Sequence, residues 1–267
     1  MSYKVDLHVH SKYSGDTDAE PEELVLRAVS RGLHGIAFTE HYSYEASEPV
    51  ERLREKYEDA IMILRGVELS TAEGHCLIFG ANTDRLSISH DPVETIVQAV
   101  NNAGGVVIPS HPFRRGSGVG EALFRMQGLC AIEGCNGANL HAFNTKAIEA
   151  ARELNLPFTG GSDAHALHMH MGPFHRVIFP YEYLFRCVNT HLLLDEALTG
   201  DVEYDKYLIY SALEQGHSWV GYDLLGSTKG FTFTARSASE HASIGERSLV
   251  VFPNCGNRRC GHLLLGR

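Results

Sequence analysis

Residues 3–41 read YKVDLHVHSKYSGDTDAEPEELVLRAVSRGLHGIAFTEH, and this stretch decides the fold. From Tyr3 to Val9 apolar and polar side chains alternate, the period of a strand with two unlike faces. Pro21 to Arg31 has a helical pattern. Pro21 stands in the first turn, where a missing N–H costs nothing, and Glu22 and Glu23 put negative charge at the helix N-terminus. Gly35 to Thr39 returns to a strand. A strand, a helix and a second strand within about forty residues make the repeating unit of a parallel sheet.

Outward from this unit the alternation continues. The sequence predicts a helix over Val50 to Asp59, a strand over Ala60 to Arg65 and another over His75 to Gly80. A helix over Pro92 to Ala103 is closed by Gly104 and Gly105. Strands follow at Val106 to Ser110 and Leu129 to Glu133, then a helix at Lys146 to Leu154 and a strand at Phe158 to Gly161. The strand count favours an α/β fold closed, or nearly closed, into a barrel. No G-x-G-x-x-G opens a helix, so a dinucleotide-binding sheet has no support. Past about residue 180 the character changes: Tyr181 to Thr199 reads as helical, and Gly230 to Ala235 alternates like a strand. The chain thus divides into a barrel over residues 1–200 and a small, mostly β appendage over 201–267, read as incomplete.

The composition excludes several classes. A formal net charge of −10 disfavours a generally basic nucleic-acid binder, and there is no basic aromatic platform for single strands. No apolar run approaches the roughly 18 residues of a membrane span, and the first residues lack the apolar region of a secretory signal. The expectation is a reduced, cytoplasmic chain. Cys76 and Cys130 read as small core residues, and the Cys255, Cys260 and His262 group reads as incidental thiols rather than a zinc knuckle. Histidine is the unusual count, 16 of 267 residues, and metal ligation is the commonest reason to gather imidazoles.

Those histidines fall where strands meet loops. Asp6, His8 and His10 share one face of the first strand by the two-residue period. Thr39-Glu40-His41, Gly66-Val67-Glu68-Leu69-Ser70, Ser110-His111-Pro112 and Gly161-Ser162-Asp163-Ala164-His165 each follow a strand, whereas Gly74-His75 begins one. In a parallel barrel the strand C-termini share one face, so residues distant in sequence converge there. Mixed imidazole and carboxylate ligands suit Zn, Mn or Fe better than Mg or Ca.

The blocks DLHVHSKYSGD (6–16), AFTEH (37–41), GVELS (66–70), GHCLIFG (74–80), SHPF (110–113) and GSDAH (161–165) together resemble the polymerase and histidinol phosphatase, or PHP, family. They span about residues 3–180 in the family's order. The resemblance implies a distorted (β/α)7-type TIM-like barrel that binds two or three divalent metals, mostly for phosphoester hydrolysis. It implies His8, His10 and Asp163 on one metal, Glu68 bridging to another, Asp16, His41 and His165 on a second, and His75 and His111 with Glu68 on a third. Two blocks depart from the pattern: the family's Thr-Asp-His is Thr-Glu-His here, which makes Glu40 a supporting residue, and Ser-Asp-Gly is Ser-Gly-Asp at Asp16.

The resulting expectation is a phosphoesterase that releases phosphate from a small phosphorylated metabolite by attack of a metal-bound hydroxide. Arg114 is expected to fork onto phosphate oxygens and assist catalysis. Arg115, Asn136 and Lys12, with Tyr13 beside it, are expected to touch substrate. His170, in the cluster His168, His170 and His175, is the candidate general acid. The same metal centre also suits ester, amide or carbamate hydrolysis, and a non-catalytic metal-binding scaffold is the third reading. The partner is a small phosphorylated substrate, with neither membrane nor nucleic acid.

Overall fold

The computed structural model describes residues 1–88, 90–165, 167–171, 174–236, 241–248 and 263–264. In chain order the elements are β1 (Ser2–Val9), α1 (Pro21–Ser30), β2 (Gly35–His41), α2 (Glu51–Lys56), β3 (Met62–Ser70), β4 (His75–Phe79), α3 (Thr83–Leu86), α4 (Val93–Asn102), β5 (Val106–Pro109) and β6 (Ile132–Asn136). They continue with α5 (His141–Leu154), β7 (Phe158–Gly161), β8 (Leu167–Met171), β9 (Phe174–Ile178), α6 (Tyr181–Leu184), β10 (Asn189–Leu193), α7 (Val202–Gln215), β11 (Ser218–Gly221), β12 (Thr234–Arg236) and β13 (His241–Ser243).

Seven strands form one curled half-barrel in the order β11-β10-β1-β2-β3-β4-β5. Within this sheet only the pairs β1–β2 and β2–β3 are parallel. The α1 crossover makes the first of these pairings possible, and α1 packs Leu24, Val25 and Ala28 inward, one apolar stripe at helical spacing. Elsewhere the expected parallel order gives way to antiparallel pairs: β3 with β4, β4 with β5, β1 with β10 and β10 with β11. The cause at β3–β4 is loop length. Residues 71–74 are too few for a crossover, so the chain must fold straight back. Thr71 closes that turn, taking the Glu73 and Gly74 N–H groups on its hydroxyl at 3.1 Å.

Three sequence expectations need correction. The strand expected to stop at Arg65 runs on to Ser70, because residues 66–68 are paired with both β2 and β4 and residues 69–70 with β4. The helix expected over Tyr181 to Thr199 is confined to α6. Val188 and Thr190 are β-branched, and the free edge of β1 draws Asn189–Leu193 into an antiparallel ladder. The segment expected as a β appendage opens with helix α7, capped by the Asp201 carboxylate at one end and by Gly216 with φ 69° at the other. Ile209, Ala212 and Leu213 of α7 are buried with Val5, Leu7, Leu192 and Leu194, and β11 forms the edge of the main sheet. That sheet therefore draws on residues on both sides of position 200.

The pair β6–β7 is parallel and separate from the half-barrel ladder. It closes against it through a bridge between Val9 and Ala164, and through Thr190, whose hydroxyl accepts from Gly160 N–H at 2.8 Å and donates to Gly160 O at 2.7 Å. The closure requires glycine. A Cβ on Gly160 would lie 2.5 Å from Val188 Cγ1 and 2.8 Å from Val220 Cγ1. Replacement Gly160→Ala is expected to lower stability by about 1–3 kcal/mol, the usual cost of overpacking. The shift of the urea midpoint measures it, and an unchanged midpoint contradicts this account of the closure.

Candidate metal centre

His8 and His10 are fully buried on the inner face of β1. The His8 ring places Nδ1 2.8 Å from Glu133 Oε1. A carboxylate accepts only, so His8 carries its proton on Nδ1 and turns Nε2 inward. At His10 the partner is a serine. Ser14 Oγ donates to Glu40 Oε2 at 2.5 Å and lies 2.8 Å from His10 Nδ1, so the serine oxygen accepts from that imidazole. In the neutral ring, the form that can ligate a metal, each Nε2 then carries a lone pair pointing into the protein, and neither Nε2 has a hydrogen-bond partner among the described residues.

What those lone pairs face is two carboxylates. His8 Nε2 lies 3.5 Å from Glu68 Oε2 and 3.4 Å from Asp163 Oδ1; for His10 Nε2 the distances are 3.5 and 3.6 Å. Nitrogen and oxygen ligands sit about 2.0–2.2 Å from a transition metal, and on a tetrahedral ion that sets neighbouring ligand atoms about 3.4 Å apart. The spacing suits a shared cation.

Glu68 joins this group to the others. Its Oε2 is 3.1 Å from His41 Nδ1, and its Oε1 lies 2.8 Å from His111 Nε2 and 3.2 Å from His75 Nδ1. The Ser110 hydroxyl donates to the same Oε1 at 2.8 Å. Asp16 Oδ2 reaches His41 Nε2 at 3.2 Å and His165 Nε2 at 3.0 Å. Three trios can each offer ligand atoms within 4.8 Å of one another: His8, His10 and Glu68; His10, His41 and His165; Glu68, His75 and His111. Two of the contributing residues hold left-handed backbone, His111 at φ 31° and Asp163 at φ 53°. Non-glycine residues in that region store strain of order 1–3 kcal/mol, a common feature of functional sites.

Electrostatics favour ionised carboxylates here. Burial works against charge on Glu68, yet the His8 charge and the bonds from His111, His41 and His75 hold it well below the usual carboxylate range. Asp163 is also held low against its burial, by His8, His165 and Arg114. Burial pulls His8 down, but Asp163, Glu133 and Glu68 together raise it well above the ordinary imidazole value. His10 goes the other way: burial, then the charges of His165 and His8, push it well below. Its ring centroid is 4.0 Å from that of His165 and 4.3 Å from that of His41. Such crowding is costly for imidazolium ions and natural for neutral ligands.

The nine residues assigned as ligands by resemblance, His8, His10, Asp16, His41, Glu68, His75, His111, Asp163 and His165, all stand in this connected cluster. Arg114 also reaches it, donating from Nη2 to Asp163 Oδ2 at 2.6 Å and Asn136 Oδ1 at 2.7 Å, and from Nε to Asn139 Oδ1 at 2.7 Å. Asn136 donates to Asp163 Oδ2 at 3.2 Å. Arg115 is exposed, and Lys12 pairs with Glu20 at 2.8 Å. The side chains of His168, His170 and His175, and residues Cys255, Cys260 and His262, lie outside the described residues. Sequence reading missed Glu133, Ser14 and Ser110 as partners of the cluster. Glu133 ends an apolar run at a strand terminus, the same signal that marked the ligands, but without a histidine beside it.

The half-barrel gathers imidazoles and carboxylates at one edge, the arrangement of a metal-binding site. Comparison narrows it: the PHP domain family matches residues 6–107 and the PHP-associated family residues 141–169, so these stretches carry the PHP pattern. An uncharacterized protein of Methanocaldococcus jannaschii is 29% identical over 120 residues, 41% of this chain and 68% of the relative. Histidinol-phosphatase of Lactococcus lactis is 27% identical over 117 residues, 39% of this chain, which spans 42% of that enzyme. In fold, the chain is similar to a lesion-specific endonuclease of Pyrococcus furiosus, with a TM-score of 0.55 at 15% identity over 82% of this chain and 58% of that one. A Bifidobacterium adolescentis protein, provisionally named a metal-dependent phosphoesterase, has a TM-score of 0.50 at 20% identity, over 60% and 87%. Among the described residues, no helix is long and apolar enough to cross a membrane.

Asp6 supports the site from below, its Oδ1 accepting Ser162 N–H at 3.0 Å and His8 N–H at 3.2 Å. Burial, which outweighs those bonds, raises it to about 7; an unfolded aspartate titrates near 3.9. Between those values the native protein keeps a proton that the unfolded chain has released, so stability falls as pH rises from about 4 to about 7 and stays reduced above. The variant Asp6→Asn keeps the acceptor and removes the titration. It is expected to be more stable than the wild type at pH 8, by up to about 4 kcal/mol, with the difference vanishing near pH 4. Chemical denaturation at the two pH values measures this, and a difference independent of pH contradicts it.

Proposed function

We propose that this protein is a metal-dependent phosphoesterase that releases phosphate from a small phosphorylated molecule. One observation carries the reading: two buried imidazole nitrogens, without hydrogen-bond partners among the described residues, face two carboxylate oxygens at 3.4–3.6 Å. The residues fit two or three divalent ions of the Zn, Mn or Fe type. His8, His10 and Asp163 would hold one, Glu68 would be shared, Asp16, His41 and His165 would hold another, and His75 and His111 would hold a third with Glu68. Bound divalent ions supply water activation near neutral pH and neutralise phosphoryl charge.

The protein's own groups do the rest. Arg114, half-buried and fixed by Asn136, Asn139 and Asp163, presents a pre-oriented guanidinium to phosphoryl oxygens. Asn136, which bonds to Arg114, is proposed as a substrate donor, and Arg115 and Lys12 are proposed to touch substrate as well. His170, on strand β8, is the proposed proton donor to the leaving oxygen. The (β/α)7-type, TIM-like description belongs to this proposal as well, as does a cytoplasmic setting. The net charge of −10 favours a small anion over a nucleic-acid strand, with the bound ions supplying local positive charge. The likeness to a DNA lesion endonuclease, at 15% identity, is a likeness of fold.

With Mn or Zn added, the protein is expected to hydrolyse a generic aryl phosphate faster than a panel of carboxylic esters, amides and carbamates. Preference for the second panel transfers the reading to acyl chemistry, and no turnover with metal confirmed present favours the scaffold. The variant Glu68→Ala is expected to lose metal occupancy and at least about 10²-fold in turnover while its far-UV circular dichroism persists. Full metal content in that variant would remove Glu68 from the bridging role.

A further inference from the structure

Glu133 has no place in the ligand assignment, yet it bonds to His8, His111 and Asn136 at once. It lies on β6, outside the seven-stranded sheet, and is 1% exposed. Its two oxygens divide their work. Oε1 accepts from His8 Nδ1 at 2.8 Å. Oε2 accepts from the His111 backbone N–H at 2.7 Å and from Asn136 Nδ2 at 2.9 Å. The first bond selects the His8 tautomer whose lone pair is on Nε2. The second holds the backbone of His111, whose φ of 31° is one that few non-glycine residues adopt. The third orients Asn136, which in turn donates to Asp163 Oδ2 at 3.2 Å. Strand β1, the turn after β5 and the end of β6 are thereby registered against one carboxylate.

We infer that Glu133 is a positioning residue: it fixes the tautomer and ring orientation of His8, the strained turn at His111 and, through Asn136, the carboxylate of Asp163, so that all three face a common cation. The inference rests on the metal-centre reading above. No other residue type serves as well. A glutamine of the same shape brings an amide –NH₂, a donor that must point either at His8 Nδ1–H or at the two donors His111 N–H and Asn136 Nδ2. One side of the arrangement is then donor against donor, in a place that water does not reach. Aspartate keeps the acceptor-only chemistry but is one methylene shorter. Ligand-orienting carboxylates of this kind typically contribute 10–100-fold in metal affinity.

The test is Mn²⁺ titration of the metal-stripped full chain, followed by calorimetry, for the wild type, Glu133→Gln and Glu133→Asp, with thermal melts of the metal-free proteins alongside. Glu133→Gln is expected to weaken Mn²⁺ binding about 10–100-fold, with Glu133→Asp weakened less and the metal-free melting temperatures within a few degrees of wild type. In zinc-loaded protein the wild type is expected to show a downfield proton resonance from His8 Nδ1–H, which moves upfield in Glu133→Gln. Wild-type Mn²⁺ affinity in Glu133→Gln, or equal losses in the Gln and Asp variants, overturns the positioning role and leaves the metal centre standing. A wild type that binds no Mn²⁺ or Zn²⁺ overturns the metal reading itself, and this inference with it.

Discussion

The constraint on which this structure depends is the confinement of charge. Glu68, Asp163 and Glu133 are about 1–3% exposed, and they lie against His8, His10 and His111, which are buried as well. Carboxylates taken out of water at such density are tolerated only when each finds a positive partner or a hydrogen-bond donor. The donors are present: Ser110, the His111 backbone, Asn136 and Arg114 all point at these oxygens. What the donors leave over is a pair of inward imidazole lone pairs, at His8 and His10. An apolar core of similar volume would be cheaper to fold, so the arrangement makes sense as a cage for cations rather than as a device for stability.

The mixed sheet explains how residues so scattered reach one edge. Strands β1, β2 and β3 run parallel and deliver His10, His41 and Glu68 at or near their C-terminal ends. Strand β4 runs back antiparallel, so its first residue, His75, pairs with Ser70 and stands at the edge where β3 ends. Strand β5 reverses again, and its last residue, Pro109, pairs with Cys76, which carries Ser110 and His111 to the same place. A histidine that begins a strand and one that follows a strand are thus neighbours, because two successive reversals cancel.

Much of this was legible in the sequence. The alternation of β1 fixed the shared face of Asp6, His8 and His10, and Pro21 with its acidic neighbours marked α1. Strand–loop junctions rich in histidine and carboxylate located the cluster before any contact was known. The failures have physical causes. Residues 66–70 look like a loop because Gly66 and Glu68 interrupt the apolar run, and only pairing with β2 and β4 makes them strand. Residues 189–193 suit a helical pattern, but β1 needed an antiparallel partner, and tertiary pairing outweighs local propensity. Helix α7 was missed although Asp201 and Gly216 cap it, because the glycines after it drew attention to turns. Glu133 was passed over because a lone carboxylate has no sequence signature: its role comes from three partners separated from it by 3, 22 and 125 residues.

The supports of the two central imidazoles differ in kind, and the difference follows from where they stand. His10, at the end of β1, is held by a local relay in which Glu40 orients Ser14 and Ser14 orients the ring; the serine also takes the His41 backbone N–H at 3.2 Å. His8, two residues earlier and deeper, has no turn within reach and takes its partner from β6, across the closure of the half-barrel. The glycine at 161 makes that closeness possible, since a Cβ there would lie 2.5 Å from His8 Cβ and 2.9 Å from Glu133 Oε1. Glutamate at position 40, where the family has aspartate, suits the local relay: its two oxygens reach Ser11 and Ser14 together, at 2.5 Å each. The position tolerates a change of length because it acts through serine hydroxyls that rotate to meet it. Glu133 acts directly on a ring and on a rigid backbone and has no such freedom. The same chemistry, a carboxylate fixing an imidazole tautomer, is therefore adaptable at one ligand and unforgiving at the other.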